Sequence, residues 1–143
     1  MEPLSVAVHA VSNIGQLRAG QNVVIFGAGP VGLLCMAVTR ALGATRIIAV
    51  DINSTRLEFA LGYAATDIFL PPSQDAGEKK MEYSKRVSGV MKKALGLEER
   101  GPRSIDIIFD ATGAETCIQM ALLVVKIGGT FVQVYQRFSQ ARG

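Results

Sequence analysis

Residues able to do chemistry are sparse in this sequence, and they gather around one run of glycines. Gly27, Gly29 and Gly32 stand in the string GAGPVG, directly after the β-branched run Asn22–Phe26 and at the opening of an apolar helical stretch. Asp51 follows 19 residues beyond Gly32, at the end of a second β-branched run, Arg46–Val50. A glycine turn between strand and helix, with an acid at the next strand end, is an arrangement that binds a dinucleotide. Each part has a mechanical reason. Gly27 permits a tight turn out of the strand, Gly29 lets a pyrophosphate approach the backbone, and Gly32 lets the helix pack close to the strand. Pro30 at the helix start forfeits an N–H that would have no intrahelical partner there. The remaining N–H groups and the helix dipole point at the phosphates. A plain structural turn is the competing reading.

Asp51 narrows the ligand. A carboxylate at that strand end accepts hydrogen bonds from the adenosine ribose hydroxyls and repels a 2′-phosphate. Like charges ~4 Å apart at an effective dielectric near 20 cost about 4 kcal/mol per pair. The expected cofactor is therefore NAD rather than NADP, with Ile52 beside Asp51 in the contact set. Arg56 leaves three roles open: welcoming a phosphate, stacking on the adenine, or pairing with Asp51. Thr112 and Gly113 follow another β-branched run, Ile105–Asp110, at the sheet edge where such ligands bind, and a structural turn is the equal alternative. Val134 ends the last β-branched run and would face the nicotinamide side.

Other candidates have structural explanations. His9, the one histidine, has no serine or acid at triad-like spacing and reads as a satisfied structural residue. Asp106 and Asp110 flank a strand and do not form a catalytic carboxylate pair. Cys35 and Cys117 lie in apolar helical stretches without a CxxC or histidine neighbour, so they read as buried free thiols with no metal. No catalytic residue is assigned.

The elements that must position the glycine turn alternate strand with helix. Residues 4–14 carry Leu4, Val8, Val11 and Ile14 at helical spacing, closed by Gly15. Strands follow at Asn22–Phe26, Arg46–Val50, 67–70, Ile105–Asp110 and 130–134. Helices are expected at 30–42 with Gly43 as a stop, from an Asn53 or Ser54 cap to about Leu61, at 78–95, and at 115–125 closed by Gly128 and Gly129. The fold class is α/β: a Rossmann-type, doubly wound parallel sheet in the order 3-2-1-4-5, with the sixth strand missing. Residues 1–20 read as a helical linker, 21–134 as the NAD-binding domain, and 135–143 as a polar tail.

Bulk properties exclude other classes. The 143 residues suffice for one domain with a real core, and 49% apolar with 19% charged residues is neither disordered nor membrane-like. The longest apolar runs fall short of the roughly 20 residues that span a bilayer. A net charge of +3, with acids interleaved among the bases of 78–103, reads as a solvated face and gives no nucleic-acid partner. The abrupt N-terminus has no signal peptide, so the expected location is cytoplasmic.

The strings EPLSVAVHA (2–10), GAGPVGL (27–33), RIIAVDINSTRLEFA (46–60), IDIIFDATGAE (105–115) and GGTFVQV (128–134) together resemble the cofactor domain of zinc-dependent medium-chain polyol dehydrogenases. The sorbitol and xylitol dehydrogenase group is meant, and GLEERGPRSIDIIFD (96–110) looks most like its fungal xylitol members. The resemblance implies that Val31, Asp51 and Arg56 contact NAD and that Val134 sits beside the nicotinamide. It also implies that Glu2 matches an acid of the catalytic-zinc environment. The family reaction oxidises a polyol to a ketose, with zinc polarising the alcohol oxygen and hydride passing to NAD. The family's zinc ligands lie upstream of Glu2, in a domain this sequence lacks. Glu2 alone cannot hold a zinc that wants three protein ligands and a water, so no zinc is expected here. After Val134, Tyr135 stands where the family has a glycine-containing turn.

The implied function is the NAD-binding domain of a polyol dehydrogenase, binding cofactor without catalysing alone. A stand-alone NAD-binding module with a regulatory or scaffolding role is the alternative. A methyltransferase using S-adenosylmethionine shares the glycine turn and acid, and Pro30 with the family strings argues against it. Without a sixth strand, the fifth presents an apolar edge (Phe131, Val132, Val134), which predicts homo-oligomers through that edge.

Overall fold

Apolar, β-branched runs bounded by glycine, proline and acids favour parallel strands buried on both faces, and the chain folds that way. The structure, a computed structural model, describes residues 3–134. Among these, β1 (Asn22–Phe26), β2 (Arg46–Val50), β3 (Asp67–Phe69), β4 (Ile105–Asp110) and β5 (Val125–Gln133) form one sheet in the order β3-β2-β1-β4-β5. Every pairing is parallel. Helices α1 (Pro3–Val8), α2 (Pro30–Ala41), α3 (Ser54–Tyr63), α4 (Lys80–Leu95) and α5 (Glu115–Val124) cover the two faces. The class is the Rossmann-type doubly wound sheet that the sequence implied.

Alternate residues of a strand face opposite layers. Val23 and Ile25 pack with Cys35, Met36 and Leu57 on the α2/α3 side. Val24 and Phe26 pack with Val87, Met91 and Met120 on the α4/α5 side. The helix ends follow local chemistry. Asn53 caps α3 by accepting from Arg56 N at 3.1 Å, and Gly43 (φ +91°) and Gly96 (φ +64°) stop α2 and α4 in the left-handed region.

Three expectations need correction. Residues 4–14 are helical, but α1 passes into a π-helical segment, His9–Ile14, which shifts the spacing. Leu4, Val8 and Ile14 are exposed, and the side that packs against the core is Ala7, Ala10 and Val11. The small side chains let this segment lie close to the core: a Cβ on Gly15 would come within 2.8 Å of the Phe109 ring.

Gly128 and Gly129 do not close a helix. The strand starts directly from α5 at Val125, and the register jumps from Ile105↔Val125 to Ile107↔Thr130. The extra residues form a bulge on which Lys126 pairs with Asp106. A Cβ on Gly129 would stand 2.9 Å from the Asp106 carbonyl oxygen, so glycine is required by close approach rather than by a helix stop.

The apolar edge is not one of side chains. Val132 and Val134 are buried and Phe131 is half-buried, because strand side chains stand perpendicular to the sheet and enter its two covered faces. Smaller shifts are that β3 ends at Phe69, α3 runs to Tyr63, and α4 begins at Lys80.

Candidate dinucleotide site

The glycine turn has the geometry its residues suggest. Gly27 sits at φ +103°, left-handed backbone that disfavours a side chain, and its N–H donates to the Val50 carbonyl at 2.8 Å. Gly29 caps α2, and a Cβ there would meet nothing within 4 Å, so the space above it is open. A Cβ on Gly32 would fall 1.8 Å from the Gly27 carbonyl oxygen, which fixes how closely helix and turn approach. The first intrahelical bond runs from Leu33 N to Gly29 O, leaving the N–H groups of Val31 and Gly32 ahead of it at the positive end of the helix.

Asp51 closes the turn from the side. Its Oδ2 accepts from Ala28 N and its Oδ1 from Asn53 N, each at 2.8 Å, and the side chain is only 7% exposed. Arg56 Nη1 lies 4.0 Å from Asp51 Oδ2 while the arginine stays 58% exposed. Of the three roles open to Arg56, pairing with Asp51 is the one present here.

These residues converge on one cleft of about 410 Å³ at the carboxyl ends of β1, β2 and β4. Gly27, Gly29, Asp51, Ile52, Arg56 and Thr112 line it. Ile52 is 85% exposed at this surface. Pro30 lines an adjoining groove of about 280 Å³ that shares Gly29 and Arg56 with the cleft. Val31, Gly32, Gly113 and Val134 line neither. Val134 is buried, and its N–H donates to the Asp110 carbonyl at 2.6 Å. Glu2 and the tail 135–143 lie outside the described residues.

The cleft also has walls that sequence reasoning did not name: Pro71, Tyr83, Cys117 and Met120. Cys117 corrects an expectation, being half-buried in the cleft wall rather than sunk in the core. Burial pushes its thiol up, helped by the negative charges of Asp110 and Asp51. Cys35 is fully buried, and its thiol is pushed up to about 12 by desolvation. His9 is exposed, with Asn13 Nδ2 3.0 Å from its Nδ1.

Asp110, by sequence a strand flank, shapes the other wall. The buried carboxylate accepts from Thr112 N (3.0 Å), Thr112 Oγ1 (2.6 Å) and Gly113 N (3.2 Å). Thr112 Oγ1 in turn accepts from Ala114 N at 3.1 Å. The Thr112 hydroxyl is thus committed to the turn, while the residue still lines the cleft. A Cβ on Gly27 would touch Thr112 Cγ2 at 3.1 Å, so this turn abuts the glycine turn. An acid followed two and three residues later by threonine and glycine is the pattern of such a side-chain-closed turn, and that signal was available in DATG.

Fold and cleft together define a dinucleotide-binding sheet of the doubly wound class, with its crevice outside the strand ends. Comparison with known proteins specifies the family. Residues 30–135 match the family described as zinc-binding dehydrogenase, and the chain belongs to it. D-xylulose reductase A of Aspergillus oryzae is 50% identical over 133 residues, which cover 93% of this chain and 34% of that protein. The alcohol dehydrogenase TADH from Thermus sp. ATN1 superposes with a TM-score of 0.69 at 30% identity, over 94% of this chain and 34% of that one. A Sinorhizobium meliloti 1021 protein solved bound to NADP superposes with a TM-score of 0.72 at 26% identity, over 92% and 34%. The chain therefore spans about a third of the length of the relatives it matches. Among the described residues no group of three or more His, Cys, Asp or Glu could hold a metal, so they do not fit the family's zinc. No helix among them is long and apolar enough to cross a membrane.

Proposed function

We propose that this chain is the NAD-binding part of a zinc-dependent polyol dehydrogenase, with residues 21–134 as the binding unit and 1–20 as its joint to a catalytic part. The observation that carries the reading is the buried Asp51 carboxylate beside the open face of Gly29. When bound, NAD supplies the hydride acceptor for oxidation of a sugar alcohol to a ketose. The chain's own residues bind and orient it. The N–H groups of Val31 and Gly32 face the pyrophosphate across Gly29, and Asp51 receives the adenosine ribose hydroxyls. Ile52 covers the adenine, and Val134 stands toward the nicotinamide.

Preference for NAD over NADP follows from charge. A 2′-phosphate would meet Asp51, and the nearby cation, Arg56, is already turned toward that carboxylate. The polyol assignment follows the 50% identity to a D-xylulose reductase. Zinc ligands would come from the catalytic part, so this chain binds cofactor and does not turn it over. A cytoplasmic setting, where both thiols remain reduced, accords with this reading.

Titrating NAD and NADP separately in a calorimeter tests the proposal: NAD should bind more tightly, and equal or absent binding of both refutes it. Sorbitol or xylitol oxidation by the purified chain with added zinc should be nil, and measurable turnover refutes that part. The backbone edge of β5 also predicts self-association. A monomer by light scattering at high concentration would overturn it.

A further inference from the structure

We propose that Arg86 is a positioning residue that sets one wall of the cleft through the loop 70–79, without touching the dinucleotide. The inference rests on the cofactor reading above. Pro71 and Tyr83 line the cleft alongside Asp51 and Ile52, the end assigned to adenosine. Pro71 belongs to a polar loop outside the sheet, and Tyr83 stands in the first turns of α4. Such a loop has little apolar burial of its own to order it.

One guanidinium fastens both. Arg86 Nε and Nη2 fork the two Glu78 carboxylate oxygens at 2.9 Å each, and Nη2 also donates to the Ser73 carbonyl at 3.0 Å. The Asp75 carboxylate adds a contact at 3.8 Å, and Asp75 N donates to Glu78 Oε1 at 3.0 Å. The same cation lies 5.5 Å from the centroid of the Tyr83 ring. The Tyr83 hydroxyl donates to the Pro72 carbonyl at 2.7 Å. The carbonyls of Pro72 and Ser73, immediately after Pro71, are thus held by Arg86 directly or through Tyr83. Arg86 and Glu78 are both half-buried, so solvent and salt screen the fork less than an open surface pair. Its planar geometry makes lysine a poor replacement.

The test titrates AMP and NAD by calorimetry into the full chain and its variants. Arg86→Ala and Arg86→Lys should each weaken AMP and NAD by the same factor, about tenfold, the loss expected when a charge-assisted fork no longer orders the wall. The exchange Arg86→Glu with Glu78→Arg should restore most of the AMP affinity, which a general loss of stability would not. Arg86→Lys carries the test if Arg86→Ala does not fold. Folded variants that bind AMP like the wild type, or an exchange that recovers nothing, overturn the positioning role alone. A wild-type chain that binds neither AMP nor NAD overturns the cofactor reading and this inference with it.

Discussion

Gly29 and Gly32 sit three residues apart in one turn, yet alanine should act on them through different physics. Gly32 lies inside α2, where alanine ordinarily gains up to ~1 kcal/mol in helix propensity. Its added Cβ would stand 1.8 Å from the Gly27 carbonyl oxygen, a separation that real Cβ atoms essentially never show. Backbone must retreat by about 1 Å, and Gly27 is pinned by its bond to Val50 O and by its positive φ. Overpacking of this kind costs about 1–3 kcal/mol, and a lost backbone hydrogen bond adds about 1. The clash outweighs the propensity gain, for a net loss of about 2 kcal/mol. Gly29 has no neighbour within 4 Å of an added Cβ, and its extended backbone (φ −78°, ψ −172°) suits alanine. Gly29→Ala should cost under about 1 kcal/mol, mostly from the cap position, yet place a methyl group where the pyrophosphate must approach. Thermal melts followed by circular dichroism should show Gly32→Ala lower by about 5–10 °C and Gly29→Ala within about 3 °C of wild type. Calorimetry should show NAD binding lost in Gly29→Ala. A Gly32→Ala chain that melts at or above wild type refutes the close-approach account, and undiminished NAD binding by Gly29→Ala refutes the path of the pyrophosphate.

Three further perturbations probe the site and its surroundings. Asp51→Ser removes the charge that opposes a 2′-phosphate and frees Arg56, so the ratio of NAD to NADP affinity should fall by at least about tenfold; an unchanged ratio would place discrimination elsewhere. In the native chain a thiol reagent should modify Cys117 slowly and more slowly still with saturating NAD, whereas Cys35 should react only on unfolding; equal labelling of both by mass spectrometry would contradict their placement. Arg86 holds the Glu78 carboxyl down to about 2, and the hydrogen bond from Arg46 chiefly lowers that of Asp67. Carboxyls depressed on folding stabilise above their unfolded pKa, so melting temperature should decline as pH falls from about 5 toward 2, less steeply in Glu78→Gln; identical slopes would remove Glu78 from the acid response.

What was legible in the sequence was whatever local chemistry decides. β1, β2 and β4 came out with their observed bounds because a buried parallel strand must be apolar throughout and must end at residues that leave the ladder. The glycine turn and Asp51 were legible for a related reason, since phosphate approach needs a missing Cβ and ribose recognition needs a carboxylate at one fixed place. Misreadings arose where the same residue types serve a tertiary purpose. Gly128 and Gly129 suggest a helix stop, but they lie within a bulged strand, and at Gly129 close approach to the Asp106 carbonyl requires glycine. Leu4 and Val8 keep helical spacing within α1, but the side that packs on the core is the smaller one, Ala7 with Ala10 and Val11. Pro71, Tyr83, Cys117 and Met120 carry no local mark at all, because only tertiary packing brings them to the cleft, Pro71 and Tyr83 from the crossover between β3 and β4 and Cys117 and Met120 from α5 beyond it.

Asp51 and Asp110 show why residue type alone could not assign the site. Each is a carboxylate at the end of a strand that flanks β1, and in register the two strands meet it at the same level: Phe26 is opposite Val50 on one side and Asp110 on the other. Asp51 lies one residue beyond its strand, so it reaches back to the glycine turn through Ala28 N and lines the cleft. Asp110 is the last residue of its strand; its side chain is buried and spends its oxygens on Thr112 and Gly113. A displacement of one residue along parallel strands separates a group placed to meet a ligand from a group that shapes the wall beside it. The crevice exists because β1 is followed on one side by β2 through α2 and flanked on the other by β4 through α4, so the crossovers leave opposite faces of the sheet. Both acids stand at the mouth of that divergence. It follows that the site's charge pattern is fixed by topology and by strand length together.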